Sequence, residues 1–329
     1  MSQTSNDPDN SQPGRTPELS YILATDTYET IRPVISRLRR QTAKDDVEVV
    51  LVAPSAESVS AALTYRDEFA GMQIVVVDSI HPLGRARAAG IRAATAPIIF
   101  VGETHSYPHP RFAETLIAAH AGPWASVAPA FGNANPSGAL SWAGFVADYG
   151  RWGEGFDAGE IPETPLYNAT YLRAPLLAMS DRLEHALSCG DELPRWLRSQ
   201  GHRCYYEPAA RLDHLNVARS IAFVRERFIA GVLIGSNRAR QWSLARRVVY
   251  MGGAPLIPVV LLARVLPGLR ETLRRVRLPL MTLPLMVLGI VLKAAGEFVG
   301  YAGAPGHAAA REMHEYEVHK LAYAGRKPA

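Results

Sequence analysis

Cysteine is scarce in this 329-residue sequence: Cys189 and Cys204 are the only two. One pair cannot build the framework of a disulfide-stapled secreted domain, and no ligand-spaced cluster surrounds either thiol, so a reducing cytoplasm is expected. Residues 1–17 contain almost no apolar side chains. They cannot repay the entropy of ordering and are expected to form a disordered tail; lacking an apolar centre, they do not read as a secretory signal. A glycine-rich phosphate loop of either standard spacing is missing, and so is any internal repeat. The uncharged runs at 248–263 and 278–292 contain 16 and 15 residues, short of the roughly 20 that span hydrocarbon.

The hydrophobic share is 48% and the charged share 20%, ample for one domain of about 200 residues plus an appendage. Net charge is +4, unevenly spread: from Arg238 onward the balance is +9, and the preceding part is −5. An acidic globular part therefore carries a basic, apolar C-terminal part. Its apolar runs fit a membrane surface with anionic lipid better than nucleic acid, which is not expected as a partner. Pro255, Pro258, Pro279 and Pro284 interrupt those runs, and arginines from Arg238 to Arg277 crowd their ends. Helices that enter the bilayer shallowly, with arginines at the headgroups, fit this pattern; a pair of tilted spans and a pair of core helices are the alternatives.

Leu19-Ser20-Tyr21-Ile22-Leu23-Ala24 reads as a strand, and Ile31, Ile35 and Leu38 follow at helical spacing. Strands at 47–52, 73–77 and around Ile98, with a small-residue helix at 86–94, give alternating units of about 25–30 residues. That pattern predicts an α/β fold with a mostly parallel sheet and helices on both faces. A helix is expected at 111–120, followed by a long irregular stretch carrying Trp142, Tyr149 and Trp152, aromatics that would stack on a sugar or cap the core. Near the end, His314 and His319 are five residues apart and do not share a helical face, which excludes a zinc-protease pair.

The apolar run Pro97-Ile98-Ile99-Phe100-Val101 leads into Glu103-Thr104-His105, and Ser106-Tyr107-Pro108-His109-Pro110 forms an exit loop. A carboxylate and an imidazole just past the carboxyl end of a strand stand where open α/β sheets bind ligands. Such a pair can hold a divalent cation against a phosphate.

Taken together with further blocks in the same order, this segment resembles the inverting glycosyltransferases of the large family 2, which have the GT-A (Rossmann-like) fold. The resemblance covers roughly residues 18–237. Thr25-Asp26-Thr27-Tyr28-Glu29 is similar to the first nucleotide-contact loop, which makes Thr25 and Glu29 candidate donor-binding residues. Gly84-Arg85-Ala86-Arg87-Ala88-Ala89-Gly90 is similar to a later block and implies Arg87 against the donor diphosphate, a role suited to charge-assisted Arg–phosphate contact. Glu103-Thr104-His105 takes the place of the Asp-x-Asp motif, with Glu for the first Asp, and implies a Mn or Mg ion held by Glu103 and His105. His214, in Leu212-Asp213-His214-Leu215-Asn216, is implied as a third ligand or a donor to the leaving phosphate.

Tyr167-Asn168-Ala169-Thr170-Tyr171-Leu172-Arg173 and Gly190-Asp191-Glu192-Leu193 complete the pattern. The resemblance implies that Asp191 or, second, Glu192 is the base that deprotonates the acceptor hydroxyl. Two departures stand out: Ala53-Pro54-Ser55 replaces the family's base-reading Asp, and alanine replaces the Asn after Arg87. The expected organisation is a tail (1–17), a GT-A domain (18–237) and a basic, apolar membrane-associating region (238–329) on the cytoplasmic side of the membrane. The expected activity moves a sugar from a nucleotide-sugar donor to a lipid-linked or cell-envelope glycan acceptor. Alternatives are a non-catalytic GT-A-like scaffold that binds nucleotide or glycan and, lacking its early Gly-rich signature, a nucleotidyltransferase.

Overall fold

The computed structural model describes residues 16–188, 190, 192–240 and 242–325. Asp191 and nearly all of the expected N-terminal tail lie outside the described residues. Four strands, β1 (Leu19–Ala24), β2 (Val47–Ala53), β3 (Gly71–Val76) and β4 (Ile98–Val101), run parallel in the order β3-β2-β1-β4. β1 and β2 are buried along their whole length, as strands covered on both faces must be.

Alternation then divides the core in two. Tyr21, Leu23, Val49 and Leu51 pack with Ile31, Ile35 and Leu38 of α1 (Tyr28–Leu38). Ile22, Val50 and Val52 pack on the other side with Ala86 and Ile91 of α2 (Leu83–Ala93). α2 sits so close to the sheet that a Cβ on Gly90 would stand 2.6 Å from Ile22 Cγ2 and 2.8 Å from Val52 Cγ2.

Beyond β4 the sheet becomes mixed. β5 (Ser106–Pro108) precedes α3 (Phe112–Ala119), and β6 (Trp124–Asn133) precedes α4 (Ala139–Asp148). β7 (Gly159–Ile161), β8 (Thr170–Leu172) and β9 (Arg203–His214) follow, with α5 (Arg173–Ala178), α6 (Leu183–Ala186) and α7 (Glu192–Ser199) between β8 and β9. β8 runs antiparallel to β4 and β6, β6 runs parallel to β9, and β5 and β7 join β9 antiparallel. This is the expected α/β architecture, mostly parallel, with helices on both faces.

The stretch expected to be irregular after α3 instead holds β6 and α4. β6 is rich in Ala, with Pro129 at a register shift against β9, so its sequence carries little of the β-branched signal that marks strands.

The C-terminal third is helical: α8 (Ser220–Ala239), α9 (Leu244–Gly253), α10 (Ile257–Arg275), α11 (Thr282–Tyr301) and α12 (Gly306–Val318). The stretches Leu244–Arg275 and Thr282–Tyr301 are long and apolar enough to cross a membrane by length and composition. α11 is two-faced. Met286, Ile290, Ala294 and Tyr301 are buried, whereas Leu283, Val287, Val291 and Phe298 are exposed.

Its inner face crosses α8 through glycines on both helices. A Cβ on Gly231 would lie 2.0 Å from the Lys293 carbonyl oxygen, and one on Gly296 would lie 2.1 Å from that of Phe228. Backbones approach this closely only where side chains are absent. α12 leaves the apolar helices, packs on α8 and returns to the carboxyl ends of the parallel strands.

Gly231→Leu is expected to destabilise the protein by at least roughly 1–3 kcal/mol, because the new side chain has only backbone to displace. Thermal unfolding reads this as a lowered Tm; a variant melting with the wild type would contradict so close a crossing.

Candidate functional site

A cleft of about 710 Å³ opens over the carboxyl ends of β3, β4 and β9, next to the point where the strand order reverses between β1 and β4. Its walls come from the start of α2, the end of α4, α8, α11 and α12.

Glu103 stands two residues past β4 and lines this cleft, with 4% of its surface exposed. His105 follows, and the pairing of β5 with β9 sets Ser106 opposite His214. That register brings the two histidines together. His105 Nε2 and His214 Nε2 are 3.1 Å apart, and each lies 3.4 Å from Glu103 Oε2. A point about 2.1 Å from all three atoms, the distance of a metal–imidazole bond, falls just off their plane. The three donors therefore have the spacing of one face of a coordination shell, and they can hold a divalent ion. Two imidazoles and one carboxylate suit a transition ion such as Mn better than Mg, which prefers all-oxygen sites.

The surroundings hold these donors in place. Asn216 Oδ1 can only accept, so His214 donates Nδ1–H to it at 3.0 Å and keeps the Nε2 lone pair free. Asn216 in turn donates Nδ2–H to Asn133 Oδ1 at 3.0 Å, and Asn135 Oδ1 accepts from its backbone N–H at 2.9 Å. Glu103 Oε2 accepts from Asn168 Nδ2, from the Tyr149 hydroxyl at 3.3 Å and from Ser106 Oγ at 3.4 Å. Asn168 reaches it from a left-handed backbone position, φ 58°, which Asn tolerates better than most residues.

Burial works against the Glu103 charge. The imidazoles of His105 and His214 and the Lys320 ammonium outweigh it and hold the carboxyl well below its usual range. Burial also pushes both histidines below their ordinary value, against the pull of the Glu103 carboxylate. Tyr149 is pushed well above its ordinary value by burial and by Glu103, and remains a donor.

Arg87 is 4% exposed and lies with its guanidinium carbon 3.6 Å from the centre of the Tyr167 ring. Among the described residues its Nε and Nη1 have no hydrogen-bond partner, although the side chain lines the cleft. A buried guanidinium with unused donors is costly unless an anion completes it. Arg227 is the contrast. It donates to both Asp148 oxygens, at 2.8 and 2.6 Å, and from Nε to Glu226 at 2.8 Å. Burial raises the Asp148 carboxyl, but Arg227 overrides this and brings it down to about 2.

Other residues singled out in the sequence sit elsewhere. Thr25 is buried at the end of β1 and donates its hydroxyl to the Thr27 carbonyl, and Glu29 is on the exposed side of α1, 3.4 Å from Arg32. Glu192 begins α7 and pairs with Arg182 at 3.0 Å and His185 at 3.3 Å. None of the three lines the cleft. The other candidate base, Asp191, lies outside the described residues.

Sequence reasoning missed Tyr149 and Asn168 as partners of Glu103, and the whole contribution of α12. Thr104, between the two candidate ligands, donates to the carbonyls of Glu317 at 3.2 Å and Val318 at 2.9 Å. His319 lies 3.0 Å from Asp26, and Lys320 lines the cleft.

No known protein family's profile matches the sequence, and no curated protein matches it. Among solved structures, the crystal structure of S. aureus TarS is similar at 14% identity and a TM-score of 0.44, over 91% of this chain and 55% of that one. This chain thus spans about half the length of that protein. The mannosyltransferase PcManGT from Pyrobaculum calidifontis, in complex with GDP-Man and Mn2+, gives 14% identity and 0.45 over 98% of this chain and 80% of that one. TarS 1–349 in complex with UDP gives 14% and 0.43 over 91% of each chain. Likeness at this level transfers neither residue roles nor activity.

The triad makes a direct prediction. The wild-type protein should bind one equivalent of Mn2+, His214→Ala should abolish that binding, and Asn216→Ala should weaken it about 10- to 100-fold by freeing the imidazole. Titration followed by electron paramagnetic resonance measures all three. A wild-type protein that leaves Mn2+ free would refute the site.

Proposed function

We propose that the protein is a metal-dependent glycosyltransferase of the GT-A type, moving a sugar from a nucleotide-sugar donor to a lipid-linked or cell-envelope glycan acceptor with inversion. The observation that carries this reading is that one large cleft is lined by Glu103 and His214 of the Glu103–His105–His214 triad and by Arg87, whose Nε and Nη1 have no hydrogen-bond partner among the described residues. A cation site beside an unsatisfied buried cation is what a diphosphate requires, since its charge grows as the sugar leaves. Glu103, His105 and His214 would hold a Mn ion, which when bound neutralises charge on the leaving diphosphate. Arg87 would bind the same group through its free N–H donors. Tyr149 and Asn168 keep Glu103 aimed, and Asn216 orients His214.

Inversion needs one base on the face of the sugar opposite the leaving group. By resemblance that base is Asp191 first and Glu192 second. The ion pairs that already hold Glu192 favour Asp191. Those same ion pairs, with Ala53-Pro54-Ser55 in place of a base-reading Asp, also support a second reading, a non-catalytic scaffold that binds nucleotide or glycan at the membrane.

We assign residues 18–237 to the catalytic domain and the membrane contact to the region after 238, at the cytoplasmic side. Leu244, Val249, Leu256, Val259 and Leu280 are exposed on α9, α10, the turn between them and the turn before α11, among Arg246, Arg247, Arg264, Arg270 and Arg277. Apolar side chains ringed by arginines suit an interface carrying anionic lipid.

A screen for donor hydrolysis and transfer across UDP-, GDP- and dTDP-sugars with Mn2+ separates the two readings. The transferase reading expects turnover of at least one donor, and binding without turnover of any would favour the scaffold. For the productive donor, Asp191→Asn should lower the transfer rate about 10²- to 10⁴-fold without changing Tm; unimpaired transfer would eliminate Asp191 as the base. In vesicle flotation the protein should rise with phosphatidylglycerol-containing vesicles, less so at high salt. Failure to float with these vesicles or with neutral ones would remove the membrane assignment.

A further inference from the structure

Lys320 is one of only four lysines in the sequence, with Lys44, Lys293 and Lys327. It is 5% exposed, lines the cleft and belongs to the turn after α12. An ammonium has three N–H donors. Among the described contacts Lys320 makes one long hydrogen bond, from Nζ to Glu317 Oε1 at 3.4 Å. The other carboxylates of that wall, Asp148 and Glu226, are engaged by Arg227. Burial works against the Lys320 charge, but Glu317, Glu103, Glu226 and Asp148 outweigh it and hold the group above its ordinary value, so the amine is an ammonium at neutral pH.

The position of this turn is tied to the metal triad. Thr104, flanked by Glu103 and His105, donates to the carbonyls of Glu317 and Val318, three and two residues before Lys320. His319 is 3.0 Å from Asp26, and the Tyr323 carbonyl accepts from the backbone N–H groups of Ala218 at 2.9 Å and Arg219 at 3.2 Å. The cleft therefore holds two buried cations with unused donors, Arg87 and Lys320, both beside a candidate cation site.

We propose that Lys320 is a donor-binding residue, whose ammonium contacts the diphosphate of the nucleotide-sugar together with Arg87. The C-terminal turn is then a working part of the donor site. A diphosphate offers two separate phosphoryl groups: the planar fork of Arg87 suits one, and the compact charge of Lys320 suits the other. This assignment rests on the transferase reading above.

Calorimetry on the full-length, detergent-solubilised protein in Mn2+ tests it by comparing UDP and GDP with uridine and guanosine. Lys320→Met should weaken diphosphate binding about 10- to 100-fold and leave nucleoside binding within about twofold, and Lys320→Arg should restore most of the loss. A wild-type protein that binds no nucleoside diphosphate overturns the transferase reading and this assignment with it. A wild-type preference for diphosphate that Lys320→Met retains in full overturns the Lys320 assignment alone.

If Lys320→Met does not fold, the wild type decides. Its lysine Nζ resonances are few, and the one missing from Lys320→Arg identifies Lys320. That signal should shift with UDP or GDP and stay still with the nucleoside; no shift with either refutes the contact.

Discussion

The buried carboxylate of Glu103 is the constraint on which this structure turns. An isolated carboxylate moved into a protein interior costs several kcal/mol, so it survives there only if its surroundings are built for it. Here they come from every part of the chain. β4 delivers the residue itself, the left-handed Asn168 before β8 and Tyr149 after α4 donate to it, and the β5–β9 pairing brings His105 and His214 to 3.4 Å. α12 fixes the intervening Thr104 from above. Moving any of these elements would strand the charge. The sheet order, the unusual backbone at Asn168 and the return of the C-terminal helix are thus linked by one electrostatic requirement.

The cleft separates two kinds of buried cation. Arg227 is saturated by Asp148 and Glu226, and a guanidinium so fully matched stabilises the junction of α4 with α8 and offers nothing to a ligand. Arg87 and Lys320 have donors to spare within the same cavity. Folding alone would favour saturating their donors, as Arg227 is saturated, or replacing them with apolar residues. Unused N–H donors retained beside a triad of potential metal ligands are better explained by a ligand than by stability.

Much of the parallel half is legible in the sequence. Tyr21, Ile22, Leu23 and Val49 to Val52 carry both faces of a covered sheet in their alternation, and Ile31, Ile35 and Leu38 mark the inner face of α1. The Glu103–His105 pair is legible for the same local reason, since a strand end and a two-residue spacing lie within a few positions. What could not be read depends on distant pairing. His214 is reached in the sequence only through the family resemblance, because nothing near it says that β9 will meet β5, the register that joins the triad. Asn168 matters through its backbone angle, and Tyr149 through the placement of a helix whose sequence, Ala-Leu-Ser-Trp-Ala-Gly-Phe-Val-Ala-Asp, has little periodic signal. Thr25 and Glu29 resemble a contact loop in sequence, yet a turn hydrogen bond and a surface ion pair occupy them. The C-terminal histidines, unconvincing as metal ligands by spacing, belong to the segment that closes the cleft.

The same distant packing gives α11 its place in the argument. One of its faces carries Lys293 into the cleft and presses Gly296 and Gly300 against α8, while the other exposes Leu283, Val287, Val291 and Phe298. A helix held through glycines has little freedom to slide, because each turn of displacement would drive a side chain into backbone. The distance between the exposed apolar face and the Glu103 site is therefore set by the α8–α11 crossing. On the proposed reading this is how a soluble-type sheet reaches an acceptor at the interface: the helix that touches the membrane also forms a wall of the cleft. Such a transferase needs no flexible tether between anchor and active site, and its reach toward the bilayer is fixed by a seam of small residues rather than by a linker.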